Sequence, residues 1–136
     1  MRAGWIALAA GGLALAGCQS LPATGCLPPA QPMAAAELVF GRNIGDRLGV
    51  SEADFARFAG AQIAPRFPGF TVLDSVGQWR DPARGRLVRE PGKLVMIAFP
   101  DRPEARAALA DIAEAYKRQF LQQSVLVAVR PACVSF

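Results

Sequence analysis

The chain of 136 residues contains no histidine, one tyrosine, two tryptophans and three cysteines. Without imidazole no side chain titrates near neutrality at its ordinary pKa, so Ser-His-Asp and Cys-His catalysis are excluded and the commonest metal ligand is missing. Cysteines this few and without histidine make a weak case for zinc, and no metal is expected. Glycine-rich phosphate loops are absent too. Gly11-Gly12 sits in an apolar leader and Arg84-Gly85-Arg86 in a turn, so no nucleotide or other cofactor is implied. The uncharged run from Ala3 to Gly17 falls short of the ~20 residues that cross a bilayer core. Nor is charge of one sign in large excess. A net charge of +4 is too small to demand a polyanion, and nucleic acid is not an expected partner.

What is present begins with an address. Met1-Arg2 supplies a basic start, Trp5 to Leu15 an apolar stretch, and Ala16-Gly17 the small residues that precede Cys18. The string Leu15-Ala16-Gly17-Cys18 resembles the lipobox of bacterial lipoprotein precursors. That resemblance implies a signal peptide over 1–17. It also implies that Cys18 carries a thioether-linked diacylglycerol and, on its amine, a fatty acid such as palmitate. The membrane is then a partner through a lipid anchor, held stably because two acylation signals act together. Gln19 stands where an inner-membrane retention signal would have Asp, which implies the outer membrane with the domain facing the periplasm. In that oxidising compartment Cys26 and Cys133 are left as a pair. A disulfide and two independent thiols both fit the sequence. Residues 18–36, with Pro22, Pro28, Pro29 and Pro32, read as a tether, and 37–136 as one domain with one core.

Within the domain, Glu37 to Ile44 reads as a strand with Leu38 and Phe40 on one face. Ser51 and Asp54 form a capping box for a helix carrying Phe55, Phe58, Ala59 and Ile63 at helical spacing up to Pro65. Phe70 to Trp79 alternates as a second strand. Leu87 to Phe99 makes a third, interrupted at Pro91-Gly92 and apolar on both faces thereafter. Asp101 with Glu104 reads as a second capping box, opening a helix whose stripe is Ala105, Leu109, Ile112, Tyr116 and Phe120, with Glu114 and Arg118 paired on its wet side. Ser124 to Val129 is a fourth strand that Pro131 breaks or bulges, with Ala132 to Phe136 prolonging the edge. The order β-α-β-β-α-β predicts an α+β, ferredoxin-like fold: a four-stranded antiparallel sheet with both helices on one face. Leu94, Met96, Leu126 and Ala128 fall on the uncovered face, which makes a sheet-to-sheet homodimer the expected way to bury them.

Several strings keep a fixed order: Phe40-Gly41-Arg42, Pro65-Arg66-Phe67-Pro68, Gly77-Gln78-Trp79-Arg80, Gln123-Ser124-Val125-Leu126 and Val134-Ser135-Phe136. Over about Leu38 to Phe136 they resemble a family of small bacterial proteins, many of them lipoproteins, that is known as a domain of unknown function. The resemblance implies no activity. Arg42, Arg66 and Arg80 lie in strands and strand ends, where guanidinium forks would bind an anion; salt bridges with Asp74 or Glu90 are the simpler expectation. Trp79 is expected in the core, and Tyr116 on the apolar stripe. Asp74 and Glu90 are the acid/base candidates, and no catalytic residue is assigned. The first reading is therefore a non-catalytic binding or scaffolding module on the envelope. Its alternative is a cofactor-free enzyme of the dimeric α/β barrel type acting on a small anionic molecule, with Arg66 or Arg80 holding the substrate and Asp74 or Glu90 moving a proton.

Overall fold

A computed structural model describes residues 25–136; the expected signal peptide and the Cys18 lipidation site lie outside the described residues. Strand β1 (Gln31–Gly41) alternates, with Ala34, Ala36, Leu38 and Phe40 buried between half-buried neighbours. This is the period of two that a sheet with one covered face imposes. A small hairpin of β2 (Asn43–Ile44) and β3 (Arg47–Leu48) follows, turning at Gly45, whose φ of 65° suits a residue without Cβ. Ser51 and Asp54 then cap α1 (Glu52–Phe58) reciprocally, as expected, and the helix runs on into a π-turn at Ala59–Ile63. Strands β4 (Thr71–Asp81) and β5 (Arg86–Phe99) form a long hairpin. Its turn is closed by Asp81 Oδ1, which accepts from the amides of Ala83 and Arg84. Helix α2 (Pro103–Phe120) and strand β6 (Leu126–Val134) complete the chain.

The four long strands lie in the order β4-β5-β1-β6, all antiparallel, so the expected α+β architecture of a four-stranded antiparallel sheet with two helices is formed. Both helices contribute to one core cluster with the same face of β1 and β5. Its centre is aromatic. Phe40 lies 4.7 Å from Tyr116 and 6.0 Å from Phe58 between ring centroids, and Tyr116 lies 4.7 Å from Phe120, edge-to-face or tilted contacts that add to the burial energy. The other face has no helix. Across it run Leu73, Leu94, Val39 and Leu126 in one row and Thr71, Met96, Glu37 and Ala128 in the next; Leu73, Met96 and Leu126 are exposed.

Five expectations change. β1 starts at Gln31, inside the stretch read as a tether over 18–36, because Met33, Ala34 and Ala36 carry the strand's alternation past the prolines. β5 is continuous through Pro91-Gly92: Pro91 turns its carbonyl toward the amide of Arg42 beyond the end of β1, on a side where its missing N–H leaves no acceptor unpaired. β6 continues past Pro131 to Val134, as the prolonged edge requires, but runs through the proline without a break, which an edge strand tolerates. At α2 the N-cap is Arg102, without a side-chain bond, and Asp101, one residue too early to cap, pairs with Arg106 at 2.7 Å. Glu114 reaches Lys117 at 2.8 Å and not Arg118.

Cys26 and Cys133 form a disulfide, their Cα atoms 5.4 Å apart and 107 residues apart in sequence. It fastens the segment before β1 to the free edge strand, where Cys133 sits opposite Pro32. Closing a loop of that length constrains the unfolded chain. Replacing Cys133 by Ser, or reducing the bridge, is expected to cost about 2–5 kcal/mol of unfolding free energy, read from urea denaturation with and without reductant.

Candidate functional site

Two polar groupings flank the C-terminal end of β1, one on each face of the sheet. On the helix side, Lys93 is buried opposite Phe40 and Asp74. Its Nζ donates to Asp74 and, at 2.6 Å, to Glu52. Arg42, also buried, donates from Nε to the Val50 carbonyl at 2.8 Å and pairs with Glu52 through Nη1. The hydrogen bond from Lys93 holds the carboxyls of Glu52 and Asp74 below the usual carboxylate range. Asp74 and then Glu52 raise Lys93 in turn against the opposing effect of burial. Both cations are thus consumed in tying the start of α1 to the sheet, a structural use.

On the open side, Gly41, Gly77 and Gly92 leave the sheet without side chains, and Glu90 lies across the gap. Glu90 faces Gly77 in the β4–β5 register, and Gly92 faces Gly41. A Cβ on Gly92 would come within 2.9 Å of the Phe40 carbonyl, so that position requires glycine for the close approach of backbone, whereas a Cβ on Gly41 would come within 2.6 Å of Glu90 Oε1 and displace that carboxylate. The backbone amide of Asn43 donates to Glu90 Oε1 at 3.0 Å. Among the described residues no donor is paired with Oε2. Two contacts brace this arrangement from behind. The Tyr116 hydroxyl donates to the Gly41 carbonyl at 2.8 Å, and Gln122 Nε2 donates to the Asn43 carbonyl at 2.6 Å. Burial pushes the Tyr116 hydroxyl well above its ordinary pKa, so it remains a donor. The Ser75 hydroxyl, buried next to Gly92, has no partner among the described residues.

Gly41, Asn43, Gly77, Glu90 and Gly92 line a hollow of about 450 Å³ whose rim includes Trp79, Gln122, Gln123 and Ser124. Trp79 is 47% exposed, which corrects its expected place in the core: it shares the strand parity of Gly77 and so lies on the face that no helix covers. Glu90 is the one charged residue of the lining. A larger groove of about 1200 Å³ lies at the other end of β4, its lining including Phe67, Phe70 and Phe99 together with Arg66, Arg102 and Arg130. There Arg66 is turned onto the Gln62 carbonyl at 2.6 Å and Arg130 onto Glu37 at 2.7 Å.

The three arginines read as an anion site are not brought together. Arg42 is committed to Glu52, Arg66 lies before β4, and Arg80 lies near its far end, reaching the Gly85 carbonyl. The two carboxylates also separate, Asp74 to the helix side and Glu90 to the open side. Lys93, Asn43 and Gln122 were not singled out in the sequence. The three strand glycines were the available signal, since glycine inside a strand marks close approach. Among the described residues no cluster of metal-ligating side chains occurs and no helix is long and apolar enough to cross a membrane.

The chain belongs to the family described as "Protein of unknown function (DUF3574)", which matches residues 35–136. No curated protein matches it. Among solved structures it is similar to a phage SAM lyase in complex with S-methyl-5′-thioadenosine, with a TM-score of 0.61 and 16% identity over 76% of this chain and 90% of that one. It is also similar to a phage SAM lyase in the apo state, with a TM-score of 0.60 and 18% identity over 76% of this chain and 86% of that one. At such identity the likeness is one of fold. It corrects the expectation of a non-catalytic binding or scaffolding module, because this arrangement of strands and helices carries an enzyme in those proteins.

The ion pairs around Lys93 make a pH prediction. Carboxyls whose native pKa is depressed contribute stability that is complete above the unfolded values, 4.5 for Glu52 and 3.8 for Asp74, and lost as pH falls through the native values. Lys93, raised above 10.5, contributes stability that is complete below that value and lost as pH rises through its native one. Thermal melts of Lys93→Met should therefore lie furthest below wild type between roughly pH 6 and 9, the two curves converging in acid and in strong base. A gap independent of pH would show that only the packing of the lysine stem matters.

Proposed function

We propose that this DUF3574 member is a cofactor-free enzyme that transforms a small molecule held in the hollow on the open face of the sheet, with Glu90 as the proton acceptor. The observation that carries the reading is the Glu90 carboxylate itself, fixed by the Asn43 amide over a floor of glycines with its second oxygen turned to no protein donor. A carboxylate held in this way supplies the base for which a histidine-free chain has few alternatives. Lyase chemistry, the class named for the structural neighbours, asks for little more. In an elimination Glu90 takes the proton, the C–H electron pair becomes the new π bond, and the pair of the breaking bond leaves with the departing group. Atoms and electrons balance without water, metal or redox partner. Trp79 offers a ring face on which a planar group of the substrate stacks.

The address read from the sequence belongs to the same proposal: Cys18 lipidated, the domain on the periplasmic side of the outer membrane. The Cys26–Cys133 disulfide supports it, since such bridges persist in oxidising compartments. A second copy packed on the exposed Leu73, Met96 and Leu126 beside the hollow would shield the site from water. The leader is tested by globomycin, which should accumulate a precursor retaining residues 1–17; mass spectrometry finding a bare Cys18 thiol would remove that part.

For the chemistry, S-adenosylmethionine is the substrate to try first, with product release followed by chromatography on the full-length protein. Glu90→Gln is expected to lower turnover at least 100-fold, the scale of a lost general base, with a melting temperature close to wild type. A wild-type rate no faster than that of the variant overturns the reading.

A further inference from the structure

Resting on that reading of the hollow, we infer that its ligand is an organic onium cation, of the sulfonium or quaternary ammonium class, seated between the Glu90 carboxylate and the Trp79 ring. The small anionic molecule expected from the sequence does not fit what lines the hollow. Glu90 is its one charged residue, and the basic side chains once assigned to anion binding are elsewhere: Arg42 on the helix side with Glu52, Arg66 beyond the start of β4, and Arg80 at the opposite strand parity from Trp79. An anion there would face an uncompensated carboxylate. A cation would neutralise it.

The spacing suits this occupant. Glu90 pairs with Gly77, and Trp79 is two residues further along β4 on the same face, so the two are diagonal neighbours with about 7 Å between their backbones. Of the two positions flanking that diagonal on the same face, Val88 opposite Trp79 keeps its side chain, whereas position 77 is glycine, with nothing nearer than 3.9 Å to where its Cβ would be. A methylated cation sits in such a gap with the carboxylate on one side and the negative face of the indole on the other, the arrangement that favours cations lacking N–H donors. Overall charge does not explain the preference, since the chain is net positive. Selectivity for a cation is a property of the hollow alone.

S-Adenosylmethionine and S-adenosylhomocysteine separate charge from shape, because they differ by one methyl group and the positive charge it places on sulfur. Their binding is measured by stopped-flow fluorescence on the full-length protein in a Trp5→Phe background, which leaves Trp79 the sole indole. The sulfonium is expected to bind at least tenfold tighter than the thioether, and Glu90→Gln to bring the two within about twofold of each other by weakening the sulfonium alone. Equal affinities in the wild-type site, or tighter binding of the thioether, overturn the inference while leaving Glu90 as base for a neutral substrate. A preference for the sulfonium that survives Glu90→Gln overturns the assignment of the carboxylate as its partner. No fluorescence response to either compound, together with no turnover, overturns the underlying reading as well.

Discussion

Everything in this fold depends on β1 being paired on both sides. With β5 along one edge and β6 along the other, the strand cannot shift register without turning Ala34, Ala36, Leu38 and Phe40 out of the core. The aromatic cluster under it therefore fixes more than stability. Phe40 is locked among Phe55, Phe58 and Tyr116, and the pleat then dictates that Gly41 faces the opposite side at the level of Glu90. Two helices cover one face of a four-stranded sheet and leave the other bare, so the bare face is where a small domain has room for chemistry.

The link between core and site is short. Tyr116 is fully buried by residue, yet its hydroxyl reaches through to the carbonyl of Gly41, the residue whose missing side chain makes room for the Glu90 carboxylate. Burying a phenol without a partner is costly, and the core pays that cost by bonding to the backbone of the site. Gln122, in the loop after α2, does the same for Asn43. The donor that orients Glu90 is thus positioned by α2 and its C-terminal loop, with Leu121 in the left-handed conformation that ends the helix. Changes in the packing of α2 are transmitted to the carboxylate through these two bonds.

The elements and their faces were largely legible in the sequence, because alternation and helical spacing report directly on burial: Leu38 with Phe40, Val95 with Ile97 and Phe99, and Leu109 with Ile112 and Tyr116 all lie where those periods put them. Proline misled. Its missing donor matters only where a partner strand needs it, and at Pro91 and Pro131 none does, while in the stretch read as a tether the prolines masked the start of β1. The site was half legible. Glu90 was visible as a carboxylate and Asp74 as its equal, but which of them is held free depends on Lys93, whose burial beside Asp74 and Glu52 is a tertiary fact. The arginines looked like a cluster because strand ends gather in sequence; opposite parity and the length of β4 disperse them.

That dispersal also bears on the sign of charge at the site. Arg84 and Arg86 converge on Asp46, Arg106 takes Asp101 and Arg130 takes Glu37, so carboxylates and guanidiniums are matched over much of the exposed surface. Matched pairs on a surface contribute little energy each, but they leave little net field for a ligand to follow. Glu90 is the exception that matters, since its partner is a backbone amide, which orients it without neutralising it. In the hollow, where every other lining residue is neutral, no cationic side chain stands beside this carboxylate. A chain that is basic overall thus presents an acidic point at the place its glycines hollow out.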